Sequence, residues 1–175
     1  MKNKKMIIII TMFTLVISVF GCGSKDTESV DMNNEPEKTE SFDITSLITK
    51  EEAENAIGME VKEAVITEQE AIGQVQCFYD GVELDIETGF VQLSILRTEN
   101  MPDNGQTVKG IYSDIKDNDL DKEAIDGIGD DAFWGTGGLH VLKGDVYFNI
   151  SVGNSDVKGN IEICKNLAKI VLERL

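Results

Sequence analysis

Two hydrophobic periods alternate along residues 43–175. The first is helical, in SLITKEEAENAIG: Thr49 followed by Glu52 forms a capping box, acids fill the first turn, and Gly58 is placed to end the helix. Strand-like alternation comes next. Val75, Cys77 and Tyr79 alternate with Gln74, Gln76 and Phe78; Val82, Leu84 and Ile86 alternate with Glu83, Asp85 and Glu87. Val91, Leu93 and Ile95 resume the pattern after a turn at Thr88-Gly89. Period-two patterning of this kind predicts antiparallel strands with one wet face.

A second helix is predicted over 105–117 from the spacing of Val108, Ile111, Tyr112 and Ile115, with Gly110 weakening its propensity. Short strands follow at 131–135, 138–142 and 145–152, with Lys143-Gly144-Asp145 turning the last pair. A final helix over 157–174 carries Ile161, Cys164, Leu167, Ala168 and Val171 on one stripe. This order predicts an α+β domain, a mostly antiparallel sheet packed by N-terminal, central and C-terminal helices as a two-layer or α/β/α sandwich.

The N-terminus follows a different rule. Lys2, Lys4 and Lys5 precede an apolar run of 15 residues, Met6 to Phe20, which ends at Val19-Phe20-Gly21-Cys22. A bilayer span needs about 20 residues, so a secretory signal fits better than an anchor helix. The V-F-G-C end resembles the lipobox of bacterial lipoproteins, although Phe20 is bulkier than the small residue usual there. That resemblance implies that residues 1–21 are removed and that Cys22 is lipidated; the alternative is a cleaved signal with an incidental cysteine. Residues 23–42 are polar and mostly acidic, with little to bury, so with Cys22 they form a disordered tether of about 25 Å. Residues 43–175 then form one domain with a core of its own.

Charge narrows the partners. Removing residues 1–21 takes away three lysines and no acid, leaving 13 basic and 32 acidic side chains and a net charge near −19. Such a surface repels phosphate backbones, so no nucleic acid is expected. With Cys22 lipidated, Cys77 and Cys164 remain as a pair in an exported protein. Both fall on apolar faces, and a bridge across the 86 residues between them would restrict the unfolded chain by about 4–5 kcal/mol. Two buried reduced thiols are the alternative. The single histidine, His140, excludes a multi-histidine metal or catalytic set and is expected to be structural or exposed.

The stretch DGIGDDAFWGTGG at 126–138 holds the only tryptophan, and Gly127, Gly129 and Ala132 match a dinucleotide turn. Phe133-Trp134 and the glycines after them cannot open the helix such a turn needs, and Asp130 and Asp131 would repel the phosphate. A calcium loop starting at Asp117 gains Asp119 and Asp121 but meets Lys122 and Ile128 where Gly and Glu are required. No catalytic nucleophile motif occurs, and the small size and aromatic poverty count against a carbohydrate groove. The glycines are therefore expected to make a tight turn, with Asp130 and Asp131 in water. Phe133 and Trp134 alternate, one entering the core and the other marking a partner surface.

GIGDDAFW resembles a motif of small exported bacterial lipoproteins of unknown function. LITKEEAENAIG and QVQCFYD are similar to the opening helix and the "C-x-Y" strand of that group. The resemblance covers nearly all of 43–175 and implies a sheet-and-helix sandwich of the Mog1/PsbP-like kind, with accessory or binding roles at the cell envelope and no catalytic residues to carry over. The expectation is a non-enzymatic lipoprotein, anchored on the extracytoplasmic side of the cell membrane and without a cofactor or metal site. Its partner would be an envelope protein or a cell-wall component. A small-ligand or cation-binding lipoprotein, and an unrecognised hydrolase, stand as alternatives.

Overall fold

The computed structural model describes residues 42–175. Cys22, the signal segment and residues 23–41 of the tether lie outside the described residues. Among the described residues, no helix is long and apolar enough to cross a membrane.

Side-chain alternation decides the architecture. Seven strands form one antiparallel sheet: β1 Val65–Gln69, β2 Gln74–Asp80, β3 Phe90–Arg97, β4 Glu123–Ala124, β5 Asp131–Gly135, β6 Gly138–Lys143 and β7 Val146–Val152. Their spatial order is β1-β2-β3-β7-β6-β5-β4. Three helices complete the domain: α1 Lys50–Ile57, α2 Val108–Asn118 and α3 Lys158–Arg174. The register lines up cross-strand rows. One runs Val75, Ile95, Phe148, Val141, Ala132, and the next runs Cys77, Leu93, Ile150, Leu139, Trp134. These rows face α1 and α3 and belong to the larger core. Successive side chains on a strand point to opposite faces, so the neighbouring residues form a second surface. There α2 covers only one end, where Val108 and Tyr112 pack on Leu96, Phe133 and Tyr147. The result is an α+β fold with helices on both faces of the sheet.

Local chemistry explains the helix ends. The Thr49 hydroxyl accepts the Glu52 amide and the Glu52 carboxylate accepts the Thr49 amide, so the predicted capping box forms, and Gly58 ends α1 in the left-handed region. Glu52 also receives both ends of the Arg174 guanidinium at 2.7 and 2.6 Å, tying the start of α1 to the end of α3. This pairing holds the Glu52 carboxyl below its ordinary value.

One predicted strand does not form. Residues 82–86 lie in a loop whose base is closed by the Gly81 amide donating to the Gly89 carbonyl. Inside it, the Asp85 carboxylate takes the amides of Glu87 and Thr88 and the Thr88 hydroxyl. An aspartate that captures amides two and three residues on makes a turn and withholds them from a ladder. Both edges of β2 are already paired, with β1 and β3, so the alternating segment has no strand to join. Leu84 and Ile86 are consequently 97% and 81% exposed.

Candidate functional site

The stretch at 126–138 is held by its own polar groups. Gly127 and Gly129 have φ of 75° and 63°. A side chain on Gly129 would meet the Leu142 carbonyl oxygen at 2.6 Å, so the turn requires a residue without Cβ there. Asp130 accepts from Lys143 Nζ at 2.8 Å and from the Gly144 amide at 2.7 Å, locking the turn to the β6–β7 hairpin. Asp131 takes Lys116 Nζ of α2 at 2.8 Å. Asp119, at the end of α2, accepts the amides of Thr136 at 2.6 Å and Asp121 at 3.1 Å. Of the acids that resembled a cation loop, Asp119 is thus committed to backbone amides, while the nearby Asp130 and Asp131 are taken by lysines. The described residues contain no group of three or more acid, His or Cys side chains able to hold a metal ion.

Phe133 and Trp134 separate as alternation requires, but only one remains available to a partner. Phe133 is fully buried beneath α2, so it cannot belong to the expected contact surface. Its ring lies parallel to the His140 imidazole at 4.5 Å between centroids. His140 Nε2 lies 2.9 Å from the Thr136 carbonyl, which can only accept, so that nitrogen carries the proton. Nδ1 is then the acceptor for the Tyr147 hydroxyl at 2.7 Å. Burial pushes the His140 pKa down and the Tyr147 pKa up, so both groups are neutral. Such a pair is a satisfied polar element of the α2-side core, unavailable as a general base.

Trp134 lies on the other face, half-buried at the rim of the larger core. It separates two clefts. One, of about 350 Å³, is lined by Glu123, Trp134, Val157, Ile161 and a polar set comprising Ser155, Asp156, Lys158, Glu162 and Lys165. The other, of about 110 Å³, lies at the sheet end among Phe90, Ser151, Ser155 and the backbone of Gly137, Gly138 and Gly153. A third cavity of about 410 Å³ between α1 and α3 is mostly apolar, with Ala56, Ile163, Leu167 and Ile170 in its wall. Of these three, the larger cleft beside Trp134 combines an aromatic face with the most hydrogen-bonding groups. Sequence alternation identified Trp134, but not Ser155, Asp156 or Glu123; they come from separate segments and share no periodic signal.

Of the two readings of the cysteines, bridge or buried reduced thiols, the structure has the second. Both are free, buried thiols. Cys77 sits on β2, whereas the Cys164 thiol lies against the backbone amides of Leu139 and Val152 on β6 and β7. With β3 between β2 and β7, the lateral offset is about 9–10 Å, beyond the reach of about 7 Å between bridged Cα atoms. Burial raises the pKa of Cys77 and pushes that of Cys164 up to about 12, so neither is a ready nucleophile. Comparison with protein-family models, with curated proteins and with solved structures finds no match to this chain.

Proposed function

We propose that this chain is a membrane-anchored extracytoplasmic lipoprotein whose α+β domain acts as a binding module at the cell envelope. The observation that carries the binding half of this reading is the Trp134 shelf, a half-buried aromatic between a polar cleft and a smaller, mostly apolar one at the end of the sheet. Aromatic residues that are partly buried and flanked by convergent polar groups are typical of ligand sites. The anchoring half rests on the sequence alone, through the charged, apolar and V-F-G-C segments ending at Cys22.

Two measurements test the two halves separately. Cys22→Ala should shift the protein from the membrane fraction to the soluble extracytoplasmic fraction. Unchanged membrane attachment would reject the lipid anchor. A photo-crosslinker placed at Lys158 should give reproducible envelope adducts, and the same probe at Lys109 on exposed α2 should give none. Equal yields at the two positions would reject the shelf as the contact site.

A further inference from the structure

Around Trp134 several solvent-exposed polar groups face one cleft. The Ser155 hydroxyl, the Glu123 and Asp156 carboxylates and the Lys158 ammonium all line the larger cleft. Among the described residues, none of these side-chain groups makes a hydrogen bond or ion pair; Lys165, by contrast, is matched by Glu162 at 2.8 Å. The indole N–H of Trp134 likewise has no partner among the described residues. Donors and acceptors of both kinds therefore surround one aromatic face.

The charge pattern excludes the simpler ligands. Three carboxylates and two ammonium groups share the wall, so no cationic cluster selects a phosphate and no acid cluster holds a metal ion. The smaller cleft adds only hydroxyl, aromatic and glycine backbone surface. From it the uncovered half of the α2-side sheet face continues through the shared residues Phe90 and Ser151. The register sets Phe78, Gln92 and Ser151 in one row there and Gln76, Ser94 and Asn149 in the next. In a chain of formal net charge −16, these six positions carry no acid, lysine or arginine, although Asp80, paired with Phe90, closes the end of the same face. The Phe78 and Phe90 rings, 5.4 Å apart, supply apolar surface beside them.

We infer that the Trp134 shelf binds a neutral saccharide, with one sugar ring stacked on the indole and the glycan continuing into the smaller cleft at the sheet end. A pyranose presents C–H bonds on its faces and hydroxyls around its rim. The C–H bonds suit the electron-rich indole face, and each hydroxyl both donates and accepts, which the mixed groups around Trp134 can satisfy. The cleft volume, about 350 Å³, falls at the small end of the range of about 300–1,000 Å³ for ligand pockets, enough for one or two sugars. Scarcity of aromatics argues against a long catalytic groove lined by several of them; a single stacking platform needs only one. The inference rests on the binding-module reading and names its ligand class.

The chain offers a direct test, because Trp134 is its only tryptophan. The full chain in detergent is titrated with the tetrasaccharides cellotetraose and chitotetraose, and in parallel with inorganic phosphate and calcium chloride, while indole fluorescence is followed. A saturable change with a neutral tetrasaccharide alone is the expected result. Asp156→Ala and Glu123→Ala should each weaken it by about tenfold, the loss of one hydrogen bond, with an unchanged melting temperature. Trp134→Phe, followed by calorimetry, should weaken it further. Flat fluorescence with both tetrasaccharides up to about 10 mM, or saturation by phosphate or calcium instead, would overturn the inference. Crosslinking at Lys158 reports binding of other species independently, so the wider reading stands or falls by that separate result.

Discussion

The two faces of the sheet differ in chemistry as much as in cover. On the α1/α3 face the inward positions of β3, β5, β6 and β7, apart from Trp134 at the rim, are aliphatic or phenyl: Val91, Leu93, Ile95, Ala132, Leu139, Val141, Phe148, Ile150 and Val152 are all 1% exposed or less. On the α2 face the same strands carry Gln92, Ser94, Phe133, His140, Tyr147, Asn149 and Ser151. A face sealed by two helices can be purely apolar, because nothing there must meet water. A face covered at one end needs an apolar patch under the helix and hydrogen-bonding groups beyond it. The second face is therefore where apolar packing and hydration compete for positions. His140, Tyr147 and Phe133 close the covered end, and the partly exposed Gln92, Asn149 and Ser151 keep the other end wet.

Substitutions that test this contrast should fall in a definite order. Phe148→Ala opens a cavity in the sealed face and should lower unfolding free energy by about 3–5 kcal/mol in urea titration. Tyr147→Phe, under α2, keeps the ring but leaves His140 Nδ1 without a donor, and should lower it by about 1–3 kcal/mol. If the second loss matched the first, the covered end of the α2 face would be as unforgiving as the sealed one.

Acid should act through the same site. Burial depresses the His140 pKa below 6.5, so the unfolded chain takes up a proton that the folded one resists. Stability from this group is full above about pH 6.5 and falls as pH drops through the unfolded value toward the lower folded one. The carboxylates of Glu52, Asp119 and Asp130, held low by their hydrogen-bond donors, act only in more acid solution. Urea midpoints should therefore decline between pH 7.5 and 5.5 for the native chain, and His140→Gln should flatten that slope. The smallest effect belongs to the wet end. Gln92→Ala should stay within about 0.5 kcal/mol of the native chain, and a loss comparable to Tyr147→Phe would mean that the amide rows are structural.

A chemical probe follows from the thiols. Neither Cys77 nor Cys164 should react with a thiol reagent until the domain unfolds, when both should be titrated. Failure to find two thiols in denaturant would restore the bridge.

Where one face of an element is dry, the sequence carried the structure. The Thr49–Glu52 box, the Gly58 stop, the stripe of α3 and the strands beginning at Asp131, Gly138 and Val146 all announce themselves by local pattern. β1 was not legible because all five of its residues are exposed, leaving no hydrophobic alternation to detect. Residues 82–86 failed in the opposite way. They possess the alternation of a half-buried strand, yet Asp85 turns the chain before a ladder can form. Neither error could be corrected locally, since pairing depends on which edges other strands have already taken.

By itself, then, the sequence determined the element types, the α+β class, the acidic charge and the assignment of Phe133 and Trp134 to opposite faces, because these depend on spacing within a few residues. Tertiary structure alone decided which face received α2 and which aromatic stayed accessible. It also set β3 between β2 and β7, keeping Cys77 and Cys164 apart, and gathered Glu123, Ser155, Asp156 and Lys158 around one indole. Those outcomes depend on strand order and helix placement, which arise from contacts between distant segments and leave no mark in any short stretch of chain.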